Sequence, residues 1–91
     1  MLKPVPSSRF KKNYKSLKKR GYDMTKLDYP IKEYLLKGKP LPPEYLDHKL
    51  VGNWKDYREC HITPDWLLIY RIDKDKLLLY LTRTGTHSDL L

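Results

Sequence analysis

Ninety-one residues suffice for one modest hydrophobic core, so a single domain spanning 1–91 is expected. The apolar fraction of 40% and the eight Tyr, two Trp and one Phe exclude a disordered composition, and no apolar run approaches the 18 or so residues of a membrane-spanning helix. The excess charge is uneven: residues 1–39 hold 12 basic and 3 acidic side chains, residues 40–91 hold 7 and 8. A basic half on a near-neutral half predicts a surface facing a polyanion, nucleic acid first and an acidic protein second.

The opening MLKPVPSSRF lacks the apolar stretch of a signal peptide, so a cytoplasmic location and no membrane partner are expected. LKPVP can form a short edge strand, since prolines cannot donate to a ladder. SSRFKKNYKSLKKRG reads as a helix: Ser7 or Ser8 can cap it, Phe10, Tyr14 and Leu17 share a face, and Gly21 ends it. Its other face carries Arg9, Lys11, Lys12, Lys15, Lys18, Lys19 and Arg20, a dense basic stripe. A second helix is predicted from Asp23 to about Lys37, with Met24, Leu27, Ile31, Tyr34 and Leu35 at core spacing. Pro30 must kink it or divide it in two. The two form a helical hairpin.

GKPLPPEYLDHKLVGN is read as a proline-rich connection without helix. Three strands follow, at 55–62, 66–72 and 76–83, joined by TPD and DKD in an antiparallel meander. The fold class is therefore α+β, a helical hairpin on one face of an antiparallel sheet. In the first of these strands, alternation puts Tyr57, Glu59 and His61 on the open face and Arg58, Cys60 and Ile62 toward the helices. Cys60, the only cysteine, can form neither an internal disulfide nor a thiolate zinc site and is expected to be a small buried residue.

His48, His61 and His87 fall before, within and after this sheet, where an antiparallel arrangement can bring them to one edge. Asp65 follows the turn after His61, and Arg83 lies four residues before His87. Histidines, a carboxylate and a guanidinium are the groups that metal-independent RNA cleavage needs: a base for the ribose 2′-OH, a cation for the phosphorane charge and an acid for the departing 5′ oxygen. Histidine suits either proton-transfer role because its unperturbed pKa is about 6.5. No two histidines have the H-x₃-H spacing of a zinc site, and no G-x-S-x-G elbow marks a serine hydrolase, so neither a metal nor a cofactor is expected. Trp54 is assigned to the core; Trp66 belongs either to the core or to a base-stacking surface.

DHKLVGNWKDYRECHITPDWLLIYRI (47–72) followed by LTRTGTHSDLL (81–91) closely resembles the YafQ branch of the RelE/ParE toxins of type II toxin–antitoxin systems, and the resemblance extends over nearly the whole chain. It implies a RelE-like fold and a ribosome-dependent endoribonuclease that cuts mRNA in the A site and inhibits translation and growth. It further implies an acidic antitoxin encoded adjacently, with operator DNA bound only through the toxin–antitoxin complex. By that likeness His48, His61, Asp65 and His87 form the acid–base group, with His87 as general acid and His48 or Asp65 as base. Arg83 matches the phosphate-stabilising arginine and Trp66 an aromatic position beside the site. Leu91 stands where the family usually has an aromatic residue that packs on the mRNA base. The basic stripe of Lys11, Lys12, Lys15, Lys18 and Lys19 would meet ribosomal RNA or the antitoxin. Two alternatives differ in kind: a non-catalytic basic RNA-binding or ribosome-binding protein, and a gyrase-directed toxin of the ParE branch, which lacks this histidine set.

Overall fold

A computed structural model describes residues 1–90; the position assigned to Leu91 lies outside the described residues. The elements are β1 (Lys3–Pro6), α1 (Ser8–Lys19), α2 (Thr25–Pro30), β2 (His48–Lys49), β3 (Arg58–Thr63), β4 (Trp66–Asp73), β5 (Leu78–Thr86) and α3 (His87–Leu90). The strands form one sheet in the order β1-β5-β4-β3-β2. The last four in chain order pair antiparallel, as alternation predicts. β1 instead runs parallel to β5, so the sheet is mixed. Joining it to β5 as a parallel neighbour requires a long crossover, which the helices and the strands between supply.

Ser7 caps α1 by accepting the Phe10 N–H at 2.9 Å, and its hydroxyl donates to the Thr82 carbonyl on β5 at 2.7 Å. Phe10 and Leu17 are buried, while Lys11, Lys12, Lys15, Lys18 and Lys19 are exposed. The Tyr14 hydroxyl donates to the Asp28 carboxylate at 3.0 Å and joins α1 to α2. Pro30 divides the second helix: it has no N–H to offer, and from Ile31 to Leu35 the helix widens to a π-turn in which the Leu36 N–H reaches the Ile31 carbonyl at 2.9 Å. Leu27, Ile31 and Leu35 stay buried through the change.

These helical side chains pack on Cys60, Trp66, Leu68, Tyr70, Leu79 and Leu81, one face of β3, β4 and β5. Trp66 is 2% exposed. Its indole N–H donates to Thr84 Oγ1 at 2.9 Å, that hydroxyl donates to the Leu67 carbonyl at 2.8 Å, and Tyr22 meets the ring edge-on. A ring enclosed in this way cannot stack an RNA base, which corrects the base-stacking assignment of Trp66. Trp54 is the converse correction: it is 41% exposed, in a short 3₁₀ turn at Gly52–Trp54, and is no part of the core. That turn, another at Pro43–Tyr45 and strand β2 also occupy the stretch read as plain connection. Their brevity leaves no periodicity to read.

Thr84, Gly85 and Thr86 continue β5 to its end. The turn comes one residue later and is held by a reciprocal cap. Thr86 Oγ1 accepts the Asp89 N–H at 3.2 Å, while Asp89 Oδ2 accepts the Thr86 N–H at 2.9 Å, closing a T-x-x-D capping box around His87. Arg20, at the end of α1, donates to the same Oδ2 at 3.1 Å. These contacts, the Thr86 N–H first, hold the Asp89 carboxyl below the ordinary carboxylate value. A Cβ on Gly85 would lie 2.8 Å from Asp89 Cβ, so glycine is needed for the close approach.

Asp89→Ala removes the cap, for which a loss of roughly 1 kcal/mol is typical; amide exchange at Thr86 should accelerate about fivefold. Gly85→Ala should produce the same change by displacing Asp89, and unchanged exchange in both variants contradicts the capping arrangement. Cys60 is fully buried and burial pushes its thiol up, so a disulfide reagent should label it only as fast as the protein unfolds. Labelling of the native protein at the rate of a free thiol contradicts that burial.

Candidate active site

Residues that face away from the helices line the other side of the same strands. The pairings His48↔Glu59, Glu59↔Ile69, His61↔Leu67, Ile69↔Arg83 and Leu67↔Gly85 place these side chains in rows across the open face. A cavity of about 220 Å³ on that face is lined by Leu50, Trp54, Glu59, Leu67, Ile69, Arg83, His87 and Leu90. His87 lines it, and His61 and His48 follow in a row beside His87. The His48 and His61 rings are 6.3 Å apart between centroids, and those of His61 and His87 are 6.1 Å apart.

Each imidazole has Nδ1 against an oxygen. His48 Nδ1 lies 2.9 Å from the Leu46 carbonyl, His61 Nδ1 3.4 Å from the Pro64 carbonyl, and His87 Nδ1 2.6 Å from Asp65 Oδ1. A carbonyl oxygen only accepts, so the geometry assigns the proton of His48 and His61 to Nδ1, and His48 Nε2 in turn lies 3.4 Å from Glu59 Oε1. At His87 the carboxylate does the same and adds a negative charge suited to an imidazolium. Asp65 also accepts the His87 backbone N–H at 3.2 Å. The bond from the His87 ring, then that from its backbone, holds the Asp65 carboxyl below the ordinary value. Asp65 is thus an ionised acceptor fixed on His87.

The segment bearing His48 is fixed by its neighbour Asp47. Arg58 grips the Asp47 carboxylate through Nε at 2.8 Å and Nη2 at 2.7 Å, and the Tyr70 hydroxyl donates to the other oxygen. Burial, and then the hydrogen bond to Asp47, pushes the Tyr70 hydroxyl up, so it remains a donor. On β5, Arg83 Nη2 donates to the Asp89 carbonyl at 3.2 Å. Its Nε is buried and has no hydrogen-bond partner among the described residues. An unmet buried donor on a cation costs about 1–3 kcal/mol or more.

His48, His61, Asp65, Arg83 and His87 are therefore brought together as the sequence spacing anticipated. Lys11, Lys12, Lys15, Lys18 and Lys19 are not: α1 packs on the opposite face of the sheet, and none of them lines the cavity. Glu59 and Trp54 do line it and were not singled out; Glu59 carries the signal of sharing a strand face with His61 at period two. His48, Glu59 and His61 also offer ligand atoms within 4.8 Å of one another. Sequence spacing does not reveal this set, because strand pairing and not a short motif brings His48 to Glu59. Two imidazoles and a carboxylate are chemically fit to hold zinc or copper.

Residues 2–91 match the family described as bacterial toxin of type II toxin–antitoxin system, YafQ. The mRNA interferase toxin YafQ of Escherichia coli strain K12 is 46% identical over 84 residues, covering 92% of this chain and 89% of the relative. Among solved structures, YafQ in the E. coli DinJ–YafQ complex superimposes with a TM-score of 0.89 at 41% identity, covering 100% of this chain and 99% of that one. A metal-bound toxin from Helicobacter pylori gives 0.90 at 45% identity, with both chains fully covered. The described fold and the match along the whole chain agree: this protein belongs to the YafQ family of type II toxin–antitoxin toxins.

Proposed function

We propose that this toxin is a ribosome-dependent endoribonuclease that cleaves mRNA in the A site and so inhibits translation and growth. The observation that carries the reading is the convergence of three imidazoles, each with Nδ1 against an oxygen, beside an arginine whose Nε lacks a partner among the described residues. His48 Nε2 takes the proton of the ribose 2′-OH, and that oxygen attacks the adjacent phosphorus. Arg83 holds the non-bridging oxygens as their charge grows. His87, protonated and backed by Asp65, gives its proton from Nε2 to the 5′ oxygen as the P–O5′ bond breaks. Asp65 Oδ1 already faces two nitrogens of His87, which makes that oxygen a poor alternative base. His61 stands between the two imidazoles, where it can support either transfer.

The relative's DinJ–YafQ complex supports an antitoxin partner for this chain, and operator DNA would be met through that complex. The exposed lysines of α1 offer charge to ribosomal RNA or to an acidic antitoxin segment from the side opposite the cavity. A second reading is favoured by the His48–Glu59–His61 set and by the metal-bound H. pylori relative. A divalent cation on those three residues would supply a Lewis acid, and it would occupy the nitrogen assigned here as base.

Expression without antitoxin should arrest growth and leave cuts in translated mRNA. His87→Ala should lower the cleavage rate about 10²–10⁴-fold, the usual contribution of one general acid, and restore growth. Unchanged cleavage by that variant contradicts the role of His87. Cleavage in a ribosome assay dialysed against a zinc- and copper-selective chelator should persist; loss of cleavage that added zinc or copper restores would instead support the cation reading.

A further inference from the structure

Beyond the imidazoles, the open face of the sheet carries an aromatic and cationic ladder that the cleavage chemistry does not use. Trp54 and Tyr57 meet edge to face with centroids 5.2 Å apart and planes at 74°. Across the sheet the Arg71 guanidinium lies 5.9 Å from the Tyr57 ring and 4.3 Å from the Tyr80 ring. Arg71 and Tyr80 are cross-strand partners on β4 and β5. None of the four belongs to the core cluster. Trp54 is exposed, the other three are half-buried, and Arg71 makes no salt bridge among the described residues.

We propose that this ladder is a track for single-stranded RNA, on which the nucleotides flanking the scissile phosphate lie with their bases against Trp54, Tyr57, Arg71 and Tyr80. The inference rests on the endoribonuclease reading and extends it to how the substrate is held. Two observations select the occupant. The first is continuity: Trp54 lines the same cavity as Arg83 and His87, and Tyr80 is three residues before Arg83 on β5, about 10 Å along the strand. A chain whose phosphate sits at Arg83 therefore continues directly over the ladder. The second is chemistry. Aromatic rings and a planar guanidinium bind unpaired bases by stacking and leave a positive charge for phosphate, and a duplex, whose base faces are already covered, cannot use them. An acidic peptide could pair with Arg71 and Arg83 but gains little from the rings.

The test uses the intact protein and a single-stranded RNA hexamer with 2′-O-methyl groups, which block attack on phosphorus. Trp66 is buried, so quenching of tryptophan fluorescence on titration should report Trp54, and Trp54→Leu should abolish it. Stacking contributes about 1–3 kcal/mol per base, so Tyr80→Ala and Arg71→Ala should each weaken the Kd about 5- to 150-fold. A duplex of the same sequence should not quench. Circular dichroism checks that these surface variants remain folded. Absence of binding by the wild type, wild-type affinity in both Tyr80→Ala and Arg71→Ala, or equal quenching by a duplex overturns the track. So does an acidic peptide that competes fully while the Tyr80 and Arg71 variants bind RNA normally. Loss of cleavage in His87→Ala alongside normal RNA binding by the ladder variants would leave the endoribonuclease reading standing without the track.

Discussion

Strand β4 pairs with β3 on one side and β5 on the other, and the period-two alternation of that pairing governs the rest of the molecule. Leu68 and Tyr70 turn toward the helices together with Cys60, Leu79 and Leu81; Leu67 and Ile69 turn the other way, in line with Glu59, His61 and Arg83. A slip of one residue would send the histidine inward and the cysteine outward, which the buried cluster forbids. The hydrogen bonds from Trp66 to Thr84 and from Thr84 to Leu67 pin the register where β4 begins and β5 ends. The reactive side chains are thus set by the same register that closes the core.

On that frame the three imidazoles arrive from separate places and are oriented by similar means. His48 comes from a two-residue strand fixed through Asp47 by Arg58 and Tyr70, His61 from β3, and His87 from the first position of a capped helical turn. An oxygen stands at each Nδ1, and at His48 the Glu59 carboxylate also stands 3.4 Å from Nε2. The exposed pair of Arg20 and Asp89 adds little to stability, as surface ion pairs generally do, but joins the end of α1 to the turn that presents His87. Preorganisation of this kind places groups before the substrate arrives, so little reorganisation is left for the reaction itself.

Much of this was legible in the sequence where the signal is periodic. The two helical segments, the three long strands, the burial of Cys60 and the side taken by His61 all follow from spacing, and the proline at position 30 announced the change of helix geometry. Short or non-local features were not legible. Strand β2 has only two residues and leaves no pattern; the prolines of LKPVP marked β1 as an edge strand, but not its parallel partner more than seventy residues away. Trp54 was misread and Trp66 left open because a tryptophan's burial depends on which neighbours close over it: Tyr22 and Thr84 enclose Trp66, whereas Trp54 meets Tyr57 edge to face and stays exposed. The His48–Glu59–His61 set arises from pairing across strands. The T-x-x-D box around His87 was in plain view as THSD but was not recognised as a cap.

The central claim is that cleavage proceeds by attack of the ribose 2′ oxygen, with imidazoles moving the protons and Arg83 holding the phosphate. The chemistry of the cut ends tests it most directly. Translated mRNA cleaved by this toxin should carry a 2′,3′-cyclic phosphate, or the 3′-phosphate formed when it opens, on the upstream fragment and a 5′-hydroxyl on the downstream one. A 3′-hydroxyl paired with a 5′-phosphate would show that water and not the 2′ oxygen attacks, and would contradict the account.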